Sequence, residues 1–178
     1  MKAGMKARFW MIGVALLTAA SRSPASADDA TGRTCSNASL SGRYGLATHG
    51  ERYGVYDASG NLHLYDNPVR VDEVTDETFD GHMTTTQLEY VFANGSSTTP
   101  NGFVGPVFGT YQVSADCTGT ETFPDFLERV FVLSNGGRTI HILTTKLHLT
   151  LPPAASAGVD CSGGCDVAVQ FYTDGERY

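Results

Sequence analysis

Four cysteines, one glutamate inside an apolar strand, a few histidines and a set of alternating aromatics are the residues here with chemistry to offer. The cysteines are Cys35, Cys117, Cys161 and Cys165. An even number of them in an exported chain points to disulfides, and four cysteines allow three connectivities. In "CSGGC" two glycines permit a tight ring, which pairs Cys161 with Cys165 and leaves Cys35 for Cys117. Cys117 stands in the turn of "GTYQVSADCTGTETF", where a free thiol would meet water. A bond to Cys35 removes that liability and staples the start of the exported chain to a distant hairpin. A zinc site would call for paired C-x-x-C knuckles and thiol exchange for a single C-x-x-C, and neither spacing occurs. No metal site is expected.

Glu89, in "QLEYVFA", is the only acid in the middle of an apolar strand and is therefore the candidate catalytic carboxylate. Strand alternation works against it: if Leu88, Tyr90 and Phe92 face an interior, Glu89 faces out. His63 and His141 lie within strands, and His82 follows an Asp-Gly turn. His141 and His148 point to opposite sides of a regular strand, and a bulge at Thr144–Thr145 would reverse that parity. No G-x-S-x-G elbow, H-E-x-x-H helix or phosphate-binding glycine loop is present, so the enzyme question stays open and no cofactor is expected. Tyr44, Tyr90, Phe92, Tyr111 and Phe131 each hold one alternating face of a strand. Such rings either line a ligand pocket or fill a core. They are the expected ligand-binding set.

The elements that would position these groups are strands. No segment sustains a helical period, whereas short runs with two-residue alternation recur between Gly, Asn, Asp and Ser. "RYGLATH", "ERYGVYD", "NLHLY", "QLEYVFA", "GTYQVSA", "LERVFVL", "TIHILTTKLHL" and "VAVQFY" are the clearest. "DASGN", "FDGH" and "SNGGR" are turn signals. "ANGSSTTPNGFVGP" and "LPPAASAGVDCSGG" read as long loops. Eight or nine short strands predict a single-domain, all-β, antiparallel barrel of about eight strands. "VFVL" and "IHIL" are apolar on both faces, which suits a lumen on one side and a loop, a helix or a second copy of the chain on the other. A homo-oligomer is thus one expectation.

The N-terminus sets the compartment. Lys2, Lys6 and Arg8 precede the apolar run "WMIGVALLTAA", and "ASA" ends at Ala27, which is the three-part pattern of a secretory signal over residues 1–27. The apolar run is too short to span a bilayer. The expected product is a secreted or periplasmic domain over 28–178. All 19 acidic residues but only eight of the 12 basic ones lie after Ala27, so that domain carries a net charge of −11. A surface so acidic repels phosphate backbones and anionic membranes, so neither nucleic acid nor a membrane is expected as a partner.

Two stretches carry a family resemblance. "CSNASLSGRYGLATHG" and "GTYQVSADCTGTETF", followed by "FVLSNGGRTIHIL", resemble a group of exported bacterial proteins that is similar to the allene oxide cyclase-like barrels, relatives in shape of the lipocalins (calycin-like). The likeness covers roughly Cys35 to Leu149, and the tail with "CSGGC" departs from it. It implies the Cys35–Cys117 pairing independently. Strand alternation, two-sided apolarity and the missing catalytic motifs lead to one reading of function, a lumen that binds a small apolar or amphipathic molecule without catalysis. The resemblance implies the alternative, a cyclase or isomerase that works by confining a reactive substrate beside a buried carboxylate. No residue of this chain matches the family's site one for one.

Overall fold

The computed structural model describes residues 34–178; the expected signal segment lies outside them. Nine strands run β1 (Ser41–Tyr56), β2 (Leu62–Asp80), β3 (Thr84–Ala93), β4 (Ser96–Ser97), β5 (Val104–Val113), β6 (Thr118–Phe123), β7 (Leu127–Ser134), β8 (Thr139–Leu149) and β9 (Cys165–Arg177). All pairings are antiparallel. The order is β2-β1-β9-β8-β7-β6-β5-β3, and β2 pairs again with β3, so eight strands close a ring. The two-residue β4 folds back on the end of β3. The expected all-β, eight-stranded antiparallel barrel is what the chain forms. Closure leaves no exposed edge among these eight strands, which removes the usual route to edge-to-edge aggregation.

Two runs expected as separate strands, "RYGLATH" and "ERYGVYD", join in the single long β1, and "SS" of an expected loop forms β4. The turns sit where glycine and asparagine allow them. Gly60 in "DASGN" takes φ +81°, and Asp57 accepts the backbone N–H groups of Ser59 and Asn61.

One end of the barrel is packed solid. Leu40, Tyr44, Leu46, Phe79, Tyr111, Phe131 and Ile140 fill it. The Phe79 ring meets the edges of Tyr44 and Tyr111 at 5.3 and 5.1 Å, near perpendicular in both cases. The short turn Asn37–Leu40 lids this end, and Tyr44 donates its hydroxyl to the Gly137 carbonyl. The Asn37 side chain accepts the Val113 N–H at 2.7 Å. Both expected disulfides are present, Cys35–Cys117 and Cys161–Cys165. Cys117 is not at a wet tip as its turn suggested: the Cys35 segment covers it, and only 6% of its surface is exposed. With all four cysteines bonded, the chain is one that folds outside the reducing cytosol.

Candidate functional site

Above the solid end the inward-facing residues change character. Glu77 on β2, Gln87 on β3, Glu121 on β6 and Arg129 on β7 form a buried polar layer across the barrel. Arg129 is 4% exposed and both glutamates are fully enclosed. Its Nη1 donates to Glu121 Oε2 at 3.1 Å and to Glu77 Oε2 at 3.4 Å, while Nη2 donates to Gln87 Oε1 at 3.1 Å. Thr85 Oγ1 donates to Glu77 Oε1 at 2.7 Å, and the guanidinium lies over the Phe123 ring. Burial raises the Glu77 pKa well above the usual carboxylate range, and the neighbouring Glu121 adds to it. For Arg129, burial works toward a lower pKa, but the charges of Glu121 and Glu77 more than reverse that and hold it protonated. Burial and the second carboxylate thus favour the protonated form of Glu77, and the guanidinium opposes them.

Beyond this layer lies a luminal cavity of about 250 Å³. Its wall carries apolar side chains, including Val71, Val91, Leu127, Leu147 and Phe171, and four charged ones, Arg52, Glu73, Glu89 and Arg129. Gln87 connects the two levels: its Nε2 donates to Glu89 Oε2 at 2.9 Å. Thr75 Oγ1 donates to Glu73 Oε1 at 2.7 Å. The Glu89 pKa is raised, chiefly by burial and then by the Glu73 charge. Burial lowers the Arg52 pKa, and its Nε has no hydrogen-bond partner among the described residues.

Breaks in strand register place several of these groups. β1 carries one residue more than β9 between Arg52 and Gly54, so Tyr53 bulges and both Arg52 and Val55 turn inward. The β3–β5 register shifts between Gln87 and Glu89, opposite Gly105–Pro106. β8 carries an extra residue at Thr145, with Thr144 opposite Arg129 and Lys146 opposite Glu128. The regular strand that would put His141 and His148 on opposite sides is thus not what forms: the bulge at Thr145 reverses the parity. Leu147 faces in, and His141 and His148 share the outer face. Each histidine there meets an aspartate on β9, His141 with Asp174 at 2.6 Å and His148 with Asp166 at 2.8 Å. Among the described residues no group of three or more potential ligands could hold a metal.

The expected site residues fall on three sides. Tyr44, Tyr111 and Phe131 are inside but belong to the solid end, below the cavity. Tyr90 and Phe92 are on the outer face, where they stack with each other, and Tyr90 also meets Phe103. None of the five lines the cavity. Glu89, expected to face out, faces in, because β3 presents Thr85, Gln87, Glu89 and Val91 to the lumen and Leu88, Tyr90 and Phe92 to the outside. The expectation inverted the parity by assuming that the more apolar face is the inner one. Arg52, Glu73, Glu77, Glu121 and Arg129 were missed. A usable signal was present for three of them: Glu77, Glu121 and Arg129 each stand two residues before a phenylalanine on the same strand. Two residues apart on one strand means the same face.

The two-sided apolarity of "VFVL" and "IHIL" is real. Phe131, Leu133, Ile140 and Ile142 point inward, whereas Val130, Val132 and Leu143 lie outside and are about 40% exposed. Comparison with known proteins finds no family model, no curated protein and no solved structure that the chain matches.

Proposed function

We propose that this chain is an exported barrel, allene oxide cyclase-like in architecture, that holds a small amphipathic ligand in its lumen. The observation that carries the reading is the division of the interior. One end is filled by interlocked aromatics, and the other keeps a cavity whose wall mixes aliphatic side chains with four charged ones. An unfilled interior costs stability unless something occupies it, and ligand sites combine apolar walls with a few fixed polar groups. At about 250 Å³ the space equals roughly eight water volumes, so the ligand is small. The test is native mass spectrometry of the protein recovered from the medium or periplasm of exporting cells, beside a Val91→Trp variant whose indole fills the cavity. A stoichiometric low-mass adduct on the wild type and none on the variant is expected. Bare protein in both cases, even after incubation with octanoate and octanol, would contradict binding in the lumen.

A second reading, catalysis by confinement, is favoured by one feature. Glu89 stands on the cavity wall with a raised pKa and one oxygen held by Gln87. A carboxyl so placed can take a proton from a confined substrate or return one to it. Glu89→Gln would lower turnover of a confined substrate far more than it lowers ligand affinity; turnover that falls only in step with affinity would speak for binding alone.

A further inference from the structure

The charged groups of the cavity are sorted by position. Glu73 pairs in register with Thr48 on β1, and Glu89 pairs with Thr75 one row below. Arg52 pairs with Val69, four residues farther along β1, a rise of about 13 Å along the strand. Rings of apolar side chains, Val71 and Phe171 among them, occupy the rows between, since both pair with Gly50. Arg52 thus stands at one end of a small apolar chamber and the two acids at the other, where Arg129 also reaches the wall but donates its hydrogen bonds to Glu77, Glu121 and Gln87 instead. Among the described residues no carboxylate forms an ion pair with Arg52, and the phenol of Tyr65 is the ionisable group that raises its pKa against burial. Its Nε is enclosed and without a partner among the described residues. Glu73 and Glu89 each have one oxygen held, by Thr75 and Gln87, and both side chains line the cavity.

Groups of this kind are costly to enclose unless something pairs with them. From this layout we infer that the ligand is a short linear molecule with two polar ends, a carboxylate seated on Arg52 and a hydrogen-bond donor, an ammonium or hydroxyl, seated between Glu73 and Glu89. The inference rests on the luminal reading above. A molecule with one polar end would leave either the guanidinium or the carboxylates facing hydrocarbon. The protein's acidic exterior argues that any preference for a carboxylate arises locally, because the overall field opposes anions.

The test is isothermal titration of the disulfide-intact protein with ω-amino-octanoate, octanoate, octylamine and octanol at roughly physiological ionic strength, where long-range surface fields are screened. The two-ended probe should bind at least about tenfold more tightly than either one-ended probe, a difference of about 1.4 kcal/mol. Arg52→Gln should remove the advantage of the carboxylate probes and leave octylamine unchanged; Glu89→Gln with Glu73→Gln should do the converse. Circular dichroism checks that each variant folds. If octanol or octylamine binds as well as ω-amino-octanoate, the two-ended ligand is wrong while the lumen remains a binding site. If the Val91→Trp variant binds all four probes as the wild type does, the lumen is not the site and both readings fall.

Discussion

Replacing Arg129 with methionine tests the polar layer that floors the cavity. Among the described residues the guanidinium is the only counter-charge that Glu77 and Glu121 touch, and it also satisfies Gln87 Oε1. Methionine preserves much of the volume but removes all three donations. Removing one partner of a buried ion pair costs about 3–5 kcal/mol, because a charge is left enclosed without compensation. For a domain of roughly 150 residues, at ~2–4 °C per kcal/mol, melting should fall by about 6–20 °C. The loss should also depend on pH. Glu77 already has a raised pKa in the folded chain. Without Arg129 the Glu77 pKa loses the charge that opposes its rise, so Glu77 holds its proton more firmly when folded than when unfolded and the folded state binds more protons. Stability then falls as pH rises above the unfolded value of about 4.3. Urea unfolding followed by circular dichroism at pH 5 and pH 8 should show the larger penalty at pH 8. Adding Glu77→Gln and Glu121→Gln to Arg129→Met should recover most of it. A penalty below about 1 kcal/mol at pH 8, or one of equal size at both pH values, would refute the claim that these three side chains form a coupled buried charge network.

The disulfides should rank by the loops they close. Cys35–Cys117 spans 82 residues and Cys161–Cys165 spans 4, so in the chain-entropy model their removal as serine pairs costs about 4.5 and about 2 kcal/mol. Urea midpoints in the reverse order would contradict the stapling role of the long one. Asp80→Asn should flatten the acid side of the stability profile. The Asp80 carboxylate accepts the Thr84 hydroxyl and the backbone N–H groups of His82, Met83 and Thr84, and these bonds hold its pKa well below the usual range. Its contribution is complete above the unfolded value of about 3.9 and is lost as pH falls toward the folded one. An unchanged acid limb in thermal melts of the variant would show that this turn is not pinned by charge.

The strands and their turns were legible because period-two alternation and the Gly, Asn and Asp punctuation are local properties. "SNGGR" and "DASGN" specify their turns without help from the rest of the chain. The long disulfide was legible for a related reason, since only one pairing remained after the short ring. Facing was a different matter. In β3 both faces carry bulk, and Leu88, Tyr90 and Phe92 look more like a core than Thr85, Gln87 and Glu89 do. Only closure of the ring decides which face is inside. The bulge at Tyr53 has no local mark at all: β1 gains one residue there relative to β9, and on its other side β2 loops out between Val69 and Leu64 before pairing resumes at Gly54. Arg52 itself keeps the parity of Tyr44, Leu46 and Thr48, so its inward facing was legible once that face was known to be the inner one, whereas the lack of a partner for its Nε among the described residues was not. The polar layer lay between these cases. Its members share strand faces with Phe79, Phe123 and Phe131, but a charge beside an aromatic reads as exposed until its partners on three other strands are known.

Where a ligand sits can be seen directly by methyl-detected NMR of the disulfide-intact protein titrated with ω-amino-octanoate and octanoate. Val71, Val91, Leu127 and Leu147 line the cavity, whereas Val130, Val132 and Leu143 lie on the barrel's outer face. Binding in the lumen predicts saturable shifts of the first group with the second unmoved. Shifts confined to Val130, Val132 and Leu143, or none in either group, would contradict it.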